Sequence, residues 1–145
     1  MEWKRESVEE LREYEAKKVA LISLPEDISQ LNAERKKLGG STTDSTPVKG
    51  GGSAWEDRQI NLIAKQEKLE FSLAVAKAWV KRVEKGLSVL SEEERLILDR
   101  FYISPQKGNV DRLCEELCLE KTAVYVRRDR ALRHYTLARY GCIEV

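Results

Sequence analysis

Apolar residues recur every three or four positions along most of the chain, and no run alternates Val, Ile or Thr with polar residues as a half-buried strand would. The spacing predicts an all-α protein. From Glu2 to about Ser23, Val8, Leu11, Val19 and Ile22 fall on one side of a helix, with Trp3 and Tyr14 flanking and Glu and Lys filling the rest. Pro25 interrupts this stretch, and the pattern resumes at Ile28, Leu31 and Leu38, which predicts a kink or short break with Pro25 in a new first turn. The fifteen residues Gly39 to Ser53 contain six Gly or Pro and read as a flexible loop. A second long helix is predicted from about Ala54 to Lys85, with Ile60, Ile63, Leu69, Leu73, Ala76, Val80 and Val83 recurring and Trp79 among them. Two such helices joined by a loop can fold back as an antiparallel hairpin.

A boundary follows. Gly86 can end the long helix, and Ser91 with Glu94 forms a capping-box pattern that opens a new one. Residues 1–85 therefore read as a helical arm or hairpin with its loop at 39–53, and residues 86–145 as a second unit. In that unit a helix from Glu92 to Phe101 turns Leu96, Ile97 and Phe101 inward. A loop holding Pro105 and Gly108 leads to a short helix, Val110 to Leu117, with Val110, Leu113, Cys114 and Leu117 as its buried face. After Cys118, Leu119 and Glu120, the last helix runs from Lys121 to about Tyr140. Short helix, tight turn and longer helix make a helix-turn-helix pattern.

Composition narrows the classes. The chain is 41% hydrophobic and 35% charged, rich in Ala, Leu, Glu, Lys and Arg, as helical proteins are. No apolar stretch approaches the ~20 residues that span a bilayer. The start, MEWKRESVEE, lacks the apolar core of a secretory signal, so a cytoplasmic protein is expected. The three cysteines, Cys114, Cys118 and Cys142, include no C-x-x-C pair, and a zinc site on Cys114 and Cys118 would need two further ligands in a chain with one histidine, so buried thiols are expected. His134 sits between Arg133 and Tyr135 and reads as a surface residue. No phosphate-binding glycine loop, metal cluster or nucleophile with a base is present in the pattern, so neither an enzyme nor a cofactor is expected.

Charge points to a ligand. The formal net charge is only +1, but Lys121 to Val145 carries six cations against two acids, while Gly86 to Glu120 carries four against eight. A cationic terminal helix on an acidic support suits a nucleic-acid duplex. If Val124, Ala131, Tyr135 and Ala138 face the supporting helices, Lys121, Thr122, Tyr125 and Arg128 project away and are the candidates for base contacts. Arg127, Arg130 and Arg133 are the candidates for phosphate contacts, which give salt-dependent affinity without sequence information. The acidic run Glu92 to Glu94 is explained by the positive end of its helix and is assigned no contact.

The elements Leu90-Ser91, Glu94-Arg95 and Arg130-Ala131-Leu132-Arg133 resemble the region-four domain of bacterial sigma factors. Together with the loop TPVKGGGS, the wider pattern resembles small phage and prophage proteins of Gram-positive bacteria, including late-gene transcriptional activators of the ArpU and RinA kind. The resemblance covers the C-terminal fifty residues well and the arms loosely. It implies a sigma region-four-like helix-turn-helix, double-stranded DNA as ligand, RNA polymerase as a candidate partner and the bacterial host cytoplasm as location. Cys118 stands where glycine commonly opens the turn, and Arg127 stands where an apolar residue is usual. Either Arg127 snorkels from a buried edge, or the helix is rotated so that Val126 takes the outward place of Tyr125.

The leading expectation is a DNA-binding transcriptional regulator, with a homodimer formed through the N-terminal helices because two narrow helices leave an apolar edge uncovered. No heptad run is long enough for a parallel coiled coil. The alternatives are a DNA-packaging recognition protein like a small terminase subunit, or a helical protein-interaction module.

Overall fold

The computed structural model describes the backbone of residues 2–41 and 51–143, and the side chains of 3–38 and 54–143. All regular structure among these residues is helical. The elements are α1 (Glu2–Ser41), α2 (Gly51–Ser88), α3 (Glu92–Leu98), a π-helical turn (Asp99–Ile103), α4 (Asn109–Leu117) and α5 (Lys121–Tyr140). The centre of the expected loop, 42–50, lies outside the described residues. Its flanks are helical, since α1 reaches Ser41 and α2 starts at Gly51.

Contacts group the chain into two compact units, residues 19–77 and residues 1–18 with 78–145. The sequence boundary at 85/86 falls inside α2, and the second unit takes in the start of α1.

In the first unit α1 and α2 run antiparallel, with Trp55 Nε1 donating to the Leu38 carbonyl at 3.1 Å and Arg35 Nη1 to Gln66 Oε1 at 2.5 Å. Leu31 and Leu62 are buried between them. α1 continues through Pro25, so the short break offered as one outcome there does not occur. Pro25 lies on the exposed face, where water can satisfy the carbonyl left without an amide partner. Four residues assigned to the inward stripes, Val19, Ile22, Ile60 and Ile63, are exposed instead. The pattern merged two faces of each helix.

In the second unit, the core is Ile97, Leu113 and Val124, all fully buried, with Leu96, Phe101, Cys114, Leu117 and Leu119 packed against them. These residues bring α3, α4 and α5 together, with α5 packing on both of the others. The Ser91–Glu94 capping box forms as expected. The helix it opens stops at Leu98 rather than Phe101, and the wider π turn closes with Ser104 N–H donating to the Asp99 carbonyl at 2.7 Å. Gly86 does not end α2. It is buried within the helix, where a Cβ would stand 2.9 Å from Tyr135 Cε2, so its role is to let α5 approach.

The start of α1 completes this unit through polar contacts. Glu10, 7% exposed, accepts from the Tyr135 hydroxyl, from Arg139 Nε at 2.9 Å and from the Tyr140 hydroxyl at 2.7 Å. Ser7 Oγ lies 2.7 Å from Thr136 Oγ1, Lys4 pairs with Asp129 at 3.3 Å, and the Lys17 ammonium sits 3.9 Å from the Trp79 ring centre. The expected buried thiols are corrected in part: Cys118 and Cys142 are exposed because they fall at or beyond helix ends, while Cys114 is half-buried at the edge of the core.

Candidate nucleic-acid interface

The connection from α4 to α5 is three residues long, and its geometry depends on Cys118. This residue adopts the left-handed conformation, φ 54° and ψ 46°, and is the one non-glycine with positive φ among the described residues. The chain thus makes the same reversal that glycine would make, with Leu119 N–H donating to the Cys114 carbonyl at 3.1 Å. Leu119 then enters the core, which fixes where α5 begins.

The buried face of α5 is Val124, Ala131, Leu132, Tyr135 and Thr136. Ala138, expected on that face, is exposed, because Glu10 and the start of α1 pull the buried side round toward Leu132 and Thr136. At about 100° per residue, the opposite face carries Thr122, Val126, Arg130, Arg133 and Leu137, all exposed. Val126, 54% exposed, holds the middle of that face.

This rotation separates the candidate residues into three groups. Thr122, Arg130 and Arg133 share the outward face. Lys121, Tyr125 and Arg128 lie on the shoulder toward α4 and the π turn: the Arg128 guanidinium sits 5.1 Å from the Phe101 ring centre and 5.0 Å from that of Tyr125, and Nη2 contacts Asp129 at 3.2 Å. Tyr125 packs edge-on to Phe101 at 6.0 Å, and Lys121 lies 3.9 Å from Asp111. Arg127 is on the opposite shoulder, held at 2.5 Å by Glu93. Both Tyr125 and Val126 are exposed, but Val126 takes the outward position and Tyr125 the flank.

The acidic run of α3 does make contacts. Besides Glu93 with Arg127, Glu94 Oε2 lies 2.5 Å from His134 Nδ1, so the histidine has a carboxylate neighbour that sequence spacing did not suggest. Burial pushes the Glu94 carboxyl up, but hydrogen bonds from His134 and the Ser91 backbone outweigh it and hold the group below its ordinary value. The pairs at Lys121 and Arg127 are exposed, and such pairs are worth about 0.2–1 kcal/mol, so a phosphate can compete for these cations. Arg130 and Arg133 are exposed and make no ion pair among the described residues.

Comparison with family models, curated proteins and solved structures finds nothing that matches this chain.

No cluster of metal-ligating side chains occurs among the described residues. No helix among them is long and apolar enough to cross a membrane. Val126, the alternative to Tyr125 in the sequence pattern, takes the outward place, and Leu137 on the same face was not among the candidates. Leu137 follows only from about 100° steps taken from Leu132 and Thr136 as well as from Val124, and nothing in the sequence marked Thr136 as buried.

Proposed function

We propose that this chain is a DNA-binding transcriptional regulator that docks α5 in the major groove of a duplex, with α3 and α4 as its support. The observation that carries this reading is the outward face of α5, where Arg130 and Arg133 stand exposed with no acidic partner among the described residues while the other cations of the helix are paired. Unpaired cations on a rigid helix recruit phosphates, and the release of counterions drives the association.

Thr122 and Val126, on the same face nearer the N-terminus, are then the residues for base edges: a hydroxyl that bonds several bases and an apolar group for a thymine methyl. Lys121 and Arg127 reach phosphates on either side by exchanging weak internal pairs for stronger ones. Arg128, stacked between rings, positions Tyr125 and the π turn rather than reading bases. The phage or prophage setting, and RNA polymerase as the partner that would make the protein a late-gene activator, rest on the sigma-like resemblance. The host cytoplasm follows from that setting.

The test is fluorescence anisotropy on duplex fragments selected from a phage-bearing genome, across a salt series. Arg130→Ala and Arg133→Ala should each weaken every sequence alike and reduce the slope of log K against log salt by about 1. Thr122→Ala and Val126→Ala should instead narrow the gap between selected and random duplexes. Binding that ignores both salt and these substitutions would remove the proposal.

A further inference from the structure

Helix α2 is apolar on two opposite sides. Within residues 54–77 one side is turned toward α1, with Leu62 buried and Leu69 and Leu73 half-buried. Directly opposite, Ile60, Ile63, Ala64, Phe71, Ala74 and Val75 lie within about 60° of a single line along the helix, and all are exposed. Phe71 is 71% exposed, Ile60 62% and Val75 51%. A helix with apolar groups on both sides is ordinarily covered on both, and this strip runs about 22 Å, some four turns.

The strip is complementary to itself in one arrangement. Its single charge is Glu67, and Lys68 flanks it; both are exposed and neither makes an ion pair among the described residues. A parallel pairing of two copies would set Glu67 on Glu67 and Phe71 on Phe71. An antiparallel pairing with its two-fold axis between positions 67 and 68 sets the bulky Phe71 over the partner's Ala64 and Ile60 against the partner's Val75. It also sets Glu67 beside the partner's Lys68. Each contact occurs twice by symmetry, large against small and acid against base, as an isologous interface requires.

We infer that the outer strip of α2 is a homodimer interface in which two copies pair antiparallel about the Glu67–Lys68 step. It does not depend on duplex binding, and its readout needs no DNA.

The experiment is light scattering and sedimentation of the full chain from low to high micromolar concentration. The wild-type chain should dimerise, and Phe71→Asp should raise the dissociation constant at least about thirtyfold, the loss expected for a central anchor. Helix content by circular dichroism should not change, because Phe71 touches solvent in the single chain; Val75→Asp supplies a second, independent variant of the same kind. Glu67→Lys and Lys68→Glu should each weaken the dimer about two- to fivefold, and the double exchange should restore it. A wild-type chain that stays monomeric, or a dimer indifferent to Phe71→Asp and Val75→Asp, would overturn the inference. A double exchange no better than its single variants would overturn the antiparallel pairing.

Discussion

Cys118 and Gly86 have exchanged the roles their residue types suggest. The cysteine holds a left-handed turn, φ 54°, that glycine adopts freely and an L-residue adopts at a cost of about 1–2 kcal/mol. Cys118→Gly should therefore raise stability by a net of about 1 kcal/mol after the entropy of the added glycine is subtracted, read as a higher urea midpoint with unchanged slope. Gly86, which the sequence suggests as a helix stop, is needed instead for its missing side chain. Gly86→Ala places a Cβ 2.9 Å from Tyr135 Cε2, against a ring whose hydroxyl is held by Glu10 and which cannot easily turn aside. The substitution should destabilise by about 1–3 kcal/mol despite the better helix propensity of alanine. The sequence showed that Cys118 occupied the turn; it did not show Gly86 under Tyr135, because the two are far apart along the chain.

Among the elements, α3 was legible where local rules govern it and not beyond. Ser91 and Glu94 gave its start correctly, since a capping box involves four neighbouring residues. The π turn after Leu98 was not visible, because the packing of Phe101 into the core, not a local signal, decides it. Glu94 also meets His134, and its carboxyl is held below the usual value of 4.5. A carboxyl depressed in the folded state favours folding above its unfolded pKa, and that contribution disappears as pH falls through the folded value. The stability difference between wild type and Glu94→Gln should therefore be full near neutral pH and shrink below about pH 4.5, as followed by thermal melts across an acid series. In α2 the recurring apolar residues predicted a helix correctly but not which side each faced, since a three- or four-residue recurrence fits two opposite faces equally when both are apolar.

At the scale of the molecule, the unit that presents α5 depends on residues at the other end of the chain. Glu10 accepts from Tyr135, Arg139 and Tyr140, and Arg139 has only 14% of its side chain exposed. Removing the carboxylate leaves a nearly buried cation and a buried hydroxyl without their partner, so Glu10→Ala should cost about 3–5 kcal/mol, measured by chemical denaturation. A fragment of residues 86–145, which lacks α1 altogether, should melt well below the full chain for the same reason. Burial, with the nearby Glu10 as hydrogen-bond partner and as a charge, also pushes the Tyr140 phenol up to about 12. With rising pH the unfolded chain ionises first, near 10.0, so stability should fall between that value and about 12.

By itself the sequence determined the helices, the capping box, the short α4–α5 connection and the concentration of cations on α5, because each arises from residues a few positions apart. Tertiary structure alone decided which side of α5 faces outward. That side is set by Ser7 and Glu10 meeting Thr136 and Tyr135, contacts between residues more than a hundred positions apart, whose partners no local periodicity can specify.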